Sequence, residues 1–277
     1  MNSFGRPLLL GLALLCAVAP LRAESLASCY GGKLSAPQIG LSKELFVVVD
    51  QTVLLDDGLK QQVANQVRPF LAPNHAVSLI VFSAYTQGMY TRELVAVQHD
   101  AQLSAAQRNE VPKPLLSKLD ACLSAQAPRA AQIIGAALRD AFQGSSGGIA
   151  KSDVMASLKD ISSRVRQSKA KERVVLLVSD MLENSSVSSF YSAQSVRKID
   201  PVKELQLAQE QQLFADFDQA RVYVVGAGLL NDAGKSKTAY RDPKTMAALK
   251  AFWQQYFEKS SARLQEFGQP ALLNPVQ

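Results

Sequence analysis

The sequence predicts an α/β protein, a single doubly wound, mostly parallel sheet with one antiparallel edge strand and helices on both faces, filling residues 24–277 as one domain. Three observations carry this. Two apolar runs, Glu44-Leu45-Phe46-Val47-Val48-Val49-Asp50 and Arg173-Val174-Val175-Leu176-Leu177-Val178-Ser179-Asp180, lack polar alternation, as strands covered on both faces do. Segments of helical periodicity alternate with such runs. The strands over 76–83 and 88–97 are joined by a turn too short for a parallel crossover, so one of them must run against the sheet.

The elements follow in order. Leu55, Leu59, Val63, Val67 and Phe70 recur at helical spacing, with Asp56 and Asp57 at the positive end of the dipole, and predict a first helix over 55–71. Beyond the hairpin, 104–109, 114–123 and 128–142 read as separate helical pieces, the last with Ile133, Ile134, Ala137, Leu138 and Phe142 on one face. Gly144-Ser145-Ser146-Gly147-Gly148 is a flexible connector, and a helix over 152–166 leads to the second apolar strand. Asp200-Pro201 and Asp242-Pro243 each pair an acidic cap with a proline at the first helical position and open two further helices. Between these lies a strand over 221–226. Met246, Leu249, Phe252, Trp253, Tyr256 and Phe257 give the last helix a broad apolar face that reads as core, and 262–267 adds an edge strand.

The first 23 residues read as a secretory signal peptide: Arg6 precedes an apolar stretch over 8–19 too short to span a bilayer, and small residues follow, with cleavage expected after Ala23. Leu26-Ala27-Ser28-Cys29 imitates a lipoprotein box, but Arg22, Glu24 and Ser25 separate it from the apolar core. No later run is long enough to cross a membrane, so the expected location is periplasmic or secreted. Removing Arg6 and Arg22 lowers the net charge from +6 to +4, and the remaining bases are scattered among acids, which gives a nucleic-acid partner little support. With Cys16 lost in the signal, Cys29 and Cys122 remain as an even pair in an oxidising compartment and are expected to form a disulfide.

Asp50 and Asp180 end the two apolar strands, and parallel sheets bind ligands at that carboxyl edge. A single acid there also caps a helix or opens a turn; two at matching ends mark a candidate site. Other motifs fail on spacing. Five residues separate Gly228 from Gly234-Lys235-Ser236 where a phosphate loop needs four, and Asn231 stands at the third glycine of a dinucleotide fingerprint. His75 and His99 have no partner at ligand spacing and read as solvated loop residues. Asp50-Gln51-Thr52 lacks the second aspartate that a phosphohydrolase nucleophile requires as general acid. The segment 183–191 follows the Asp180 edge on the same rim, where Asn184, Phe190 and Tyr191 are candidate partner contacts; the two aromatics fold equally well back onto the core.

The order strand, helix, hairpin, helices, strand, helix, strand, helix, strand resembles a von Willebrand factor A-like domain over nearly the whole mature chain. That resemblance implies a metal-ion-dependent adhesion site built from an Asp-x-Ser-x-Ser strand end, a threonine before a later helix, and a Thr-Asp-Gly strand end, in which oxygens hold Mg²⁺ or Mn²⁺. Asp50 keeps the first acid and Thr52 replaces the first serine, but Leu54 stands where the second serine belongs. Ile134-Gly135-Ala136-Ala137-Leu138 matches the helix signature with Gln132 in place of the threonine, and Ser179-Asp180-Met181 keeps the second acid. The site is degenerate, with Asp50, Thr52 and Asp180 as its expected metal ligands. The expected function is a non-enzymatic binding module that engages an envelope or secreted protein through these loops, with no small-molecule cofactor. A metal-assisted phosphoester hydrolase using Asp50 and Asp180 is the alternative.

Overall fold

The computed structural model describes residues 25–32, 34–83, 91–145, 152–192, 195–230 and 242–277. The expected signal peptide at 1–23, residues 88–90 of the second hairpin strand, residues 146–148 of the connector, Asn231 and the Gly234-Lys235-Ser236 turn lie outside them.

Six strands form one sheet in the order β3-β2-β1-β4-β7-β8. These are β1 (Lys43–Asp50), β2 (His75–Phe82), β3 (Arg92–Gln98), β4 (Glu172–Val178), β7 (Arg221–Val225) and β8 (Arg263–Phe267). Only β3 is antiparallel, as the short hairpin requires; β1 pairs in parallel with both β2 and β4. Two further short strands, β5 (Tyr191–Ser192) and β6 (Ser195–Val196), pair with each other as a separate hairpin within the serine-rich segment.

Every central strand feeds two cores, which is why β1 and β4 are apolar throughout. Leu45, Val47 and Val49 of β1 face one core, with α1 (Asp57–Val67) and α3 (Lys113–Gln143). Phe46 and Val48 face the other, with α4 (Val154–Gln167), α5 (Pro201–Glu210) and α6 (Pro243–Lys259). Each fully buried Val, Leu or Phe contributes about 1.5–3 kcal/mol of transfer free energy. Phe252, Trp253, Tyr256 and Phe257 of α6 are fully buried and pack edge to face or tilted upon one another. The Asp200 and Asp242 side chains cap α5 and α6 as their sequence contexts predict.

Two readings are corrected. A short helix α2 (Ala105–Asn109) forms as expected, but the pieces 114–123 and 128–142 are one helix, α3, that runs through Pro128. Proline removes one backbone donor, yet buried residues on both sides of it, Leu119 and Gln126 before and Ala130, Ile133 and Leu138 after, hold the helix against the sheet. His99 is not solvated. It is 2% exposed and continues the inward alternation of Val95 and Val97 one step past β3, so strand geometry rather than residue type decides its burial.

Candidate functional site

β1 runs outward through β2 to β3, and β4 runs outward through β7 to β8, so the strand order reverses between β1 and β4. Connections leave the sheet in opposite directions there, at the carboxyl ends of the two strands, which is where parallel sheets place their ligand sites. Val49 lies opposite Val178, which puts Asp50 level with Ser179 and one residue from Asp180. The two acids lie together at this switch point, and each is 1% exposed.

Asp50 is ringed by hydroxyls. Its Oδ1 accepts from the Thr52 amide at 2.9 Å and the Thr52 hydroxyl at 2.6 Å; its Oδ2 accepts from Ser179 Oγ at 2.8 Å and Ser152 Oγ at 3.2 Å. Asp180 accepts from the Leu182 amide at 2.9 Å on Oδ1 and from the Tyr191 hydroxyl at 2.6 Å on Oδ2. Every one of these partners is uncharged. Burial therefore raises the Asp50 carboxyl above its ordinary value against the pull of the Thr52, Ser179 and Ser152 hydrogen bonds. Burial, and then the charge of Asp50, push Asp180 up to about 8. Without a cation, the pair resists holding two negative charges near neutrality.

The backbone behind the acids is held firmly. Met181 adopts a left-handed φ of 59°, its amide donates to Ser179 Oγ, and its carbonyl accepts the Trp253 indole N–H at 2.8 Å. The Asp180 carbonyl accepts from the Gly228 amide at 2.8 Å. A left-handed non-glycine residue costs on the order of 1 kcal/mol and persists because its surroundings over-determine it.

Sequence reasoning missed three contributors. Ser152, just ahead of α4, supplies the hydroxyl sought at Gln132, which lies on an exposed face of α3. Gln132 precedes the end of α3 by a distance of roughly 16 Å along its axis, and it is the carboxyl end of α3 that meets the edge loops, through Gln51 Nε2 and the Ala141 carbonyl. A serine before a helix reads as an ordinary cap, so Ser152 gave no separate signal. Ser179 stands in the quoted strand end but was not weighed as a donor. Glu183, 1% exposed, accepts from the Met155 amide at the start of α4, where burial pushes its carboxyl up to about 7.

The remaining expected residues divide. Leu54 is 48% exposed at the rim and offers no side-chain oxygen. Asn184 pairs through its backbone with Ser152 in both directions, which positions the Ser152 hydroxyl. Phe190 is corrected as a contact anchor: it is fully buried, its ring 5.1 Å from Phe252 and 6.3 Å from Trp253, because its amide pairs with the Glu183 carbonyl and turns the ring inward. Tyr191 is half-buried, and its hydroxyl reaches the site itself. Cys29 and Cys122 form the expected disulfide, at the opposite end of the sheet beside Asp100.

These oxygens fit a hard divalent cation such as Mg²⁺ or Mn²⁺ in chemical type: two carboxylates lie at the switch point, with the hydroxyls of Thr52 and Ser152 bonded to Asp50. Among the described residues no group of three or more His, Cys, Asp or Glu is placed to hold a metal ion. His75 and His99 both lie at the other edge of the sheet, at the start of β2 and after β3.

No family model and no curated protein matches the sequence. Two solved structures align with the fold at low similarity. An aerotolerance-related membrane protein from Bacteroides fragilis with multiple mutations to serines gives a TM-score of 0.36 at 10% identity, over 82% of this chain and 92% of that one. The vWF domain of a type V pilus tip protein from Porphyromonas gingivalis gives 0.28 at 13% identity, over 73% of this chain and 57% of that one. The strand order, the single antiparallel strand of the six-stranded sheet and the switch point between β1 and β4 agree with the von Willebrand A-like fold that the sequence resembles.

Proposed function

We propose that this is an exported, non-enzymatic protein-binding module whose partner engages the loops after β1 and β4, with a divalent cation held by Asp50, Thr52, Ser152 and Asp180. The observation that carries the reading is the pair of buried carboxylates at the reversal of strand order, hydrogen-bonded by the hydroxyls of Thr52, Ser152, Ser179 and Tyr191. A cation there would neutralise the pair and offer an open coordination position to an acidic group of the partner. The disulfide supports passage through an oxidising compartment, and among the described residues no helix is long and apolar enough to cross a membrane. Phosphoester hydrolysis finds less support, since both histidines lie at the far edge of the sheet from the acids.

The test is calorimetric titration of Mn²⁺ and Mg²⁺ into wild type and into Asp50→Asn and Asp180→Asn, with circular dichroism to verify folding. Saturable binding in wild type, weakened at least tenfold in both variants, supports the site; equal heats in all three reject it. Capture from envelope extracts with and without chelator then reads the partner. A protein retained by wild type, released by chelator and not held by Asp180→Asn is the expected result.

A further inference from the structure

The chain holds two histidines, and the fold makes them neighbours. Ala76 of β2 pairs with Gln98 of β3, so His75 and His99 form the next cross-strand pair, joined by the His99 amide donating to the His75 carbonyl at 2.9 Å. By the two-residue period of strands they share the face of Val77 and Val97, towards the core of α1 and α3, where the His75 ring lies 6.4 Å from Phe70. Three of their four ring nitrogens, His75 Nδ1 and both of His99, are buried with no hydrogen-bond partner. Protonation would turn each of these nitrogens into a donor with nothing to accept from it.

The charged groups around the pair reinforce this. Lys43 of β1 lies in register with His75, and its own ion pair is with Glu172 of β4. Burial, and then the Lys43 charge, hold His75 below its ordinary 6.5 against the pull of Glu172. Burial also lowers His99, helped by the charge of His75 and opposed by their shared backbone bond and by Asp100. Asp100, the next residue, is an anchor of the amino-terminal arm: it accepts from Ser28 Oγ at 3.0 Å, from the Cys29 amide at 2.6 Å and from Gln126 Nε2 at 2.8 Å. The arm is held as well by the Tyr30 hydroxyl on the Ala101 carbonyl, by Leu26 against the core and by the disulfide. Beside this anchor is a cavity of about 330 Å³ lined by His99, Asp100 and Gln126 and by Arg108 and Asp120, which pair with each other.

We propose that His75 and His99 form an acid-sensitive clasp on the amino-terminal arm, shut while both rings are neutral and loosened when they take up protons. A charged His99 meets a carboxylate at the next position along the chain, and the cavity gives its ring room to turn there. A charge-assisted bond from the imidazolium then draws Asp100 away from Ser28 and the Cys29 amide. The arm loosens at that point, while Leu26 and the disulfide keep it tethered. Linkage sets the sign: the neutral rings stabilise the shut state in full above their ordinary 6.5, and that stabilisation is lost as pH falls below it.

The experiment follows the two imidazole signals by NMR as the protein is acidified from neutrality and, over the same range, hydrogen exchange at the Cys29, His99 and Asp100 amides, corrected for intrinsic rates, in wild type and His99→Gln. Both rings are expected to titrate below 6.5. Protection at the three amides falls roughly tenfold for the first pH unit below that value, since each unit shifts a one-proton opening by up to that factor. Low urea leaves the exchange unchanged, because a local opening exposes little surface. In His99→Gln the fall shrinks to about threefold or less. A ring that titrates at or above 6.5, or a fall of equal size in the variant, overturns the clasp. Should the variant fold poorly, wild type decides alone: protection that stays level while both rings gain protons overturns the proposal.

Discussion

Glu183 is a carboxyl placed where its charge is costly. It holds the first amides of α4 from a fully buried position, and burial lifts its titration from 4.5 to about 7. The folded state therefore binds its proton more tightly than the unfolded state does. The stabilisation is fully present below about pH 4.5 and is lost as pH rises towards 7, an effect on the order of 3 kcal/mol. Glu183→Gln keeps an acceptor for the Met155 amide and removes the proton, so its urea-unfolding free energy, measured from pH 5 to 8, should lack that share of the wild-type decline. An identical pH profile for the two proteins would contradict the assignment. Gly226 supplies a second test at this scale. Its φ is +104°, and an added Cβ would lie 3.0 Å from the Ser179 carbonyl oxygen, directly behind the Asp50–Ser179 hydrogen bond. Gly226→Ala should destabilise by about 1–3 kcal/mol, visible as a lowered urea midpoint, and should weaken cation binding by displacing Ser179. Neither effect is legible in the sequence, because each depends on which backbone lies within 3 Å.

The elements were legible where periodicity and caps agreed, as in β1, β4, α5 and α6. They were misread where a local rule was overridden. Pro128 marks a helix start by its own chemistry, yet α3 passes through it, because burial on both sides outweighs one missing hydrogen bond. Pro128→Ala restores that donor at an exposed position and is expected to stabilise by about 1–3 kcal/mol, seen as a higher Tm with cation binding unchanged. A lower Tm would show that the helix needs the bend a proline imposes. The serine-rich segment over 184–195 has no periodicity to read. The Arg197–Glu204–Ser188 cluster, whose contacts reach up to 16 positions along the chain, and Phe190, which packs on Phe252 and Trp253, give it a fixed base.

For the molecule as a whole, the disulfide ties the amino-terminal arm to α3 across 93 residues of chain. The arm is also held by Asp100, which accepts from Ser28 and the Cys29 amide, and by Gln126, which donates to the Ala27 carbonyl. Chain-entropy arguments put a closure of this length at about 4–5 kcal/mol. Part of that loss can be taken up by local opening of the arm rather than by global unfolding. Cys29→Ser with Cys122→Ser is therefore expected to lower the unfolding free energy by up to about 4 kcal/mol, with hydrogen exchange rising first in residues 25–32. The Asp50–Asp180 site lies at the opposite edge of the sheet, so its cation affinity should be unaffected.

The amino-acid sequence by itself determined the sheet class, the antiparallel hairpin, the cysteine pair and the two acids at strand ends, because each follows from period, turn length, parity or position within a single segment. Only the tertiary structure decided that Ser152 rather than a residue near Gln132 faces Asp50, that His99 is buried, and that Phe190 points inward while Tyr191 reaches Asp180. Those outcomes depend on which segments meet across the fold, and residues that are neighbours in space but a hundred positions apart in the chain leave no local pattern to read.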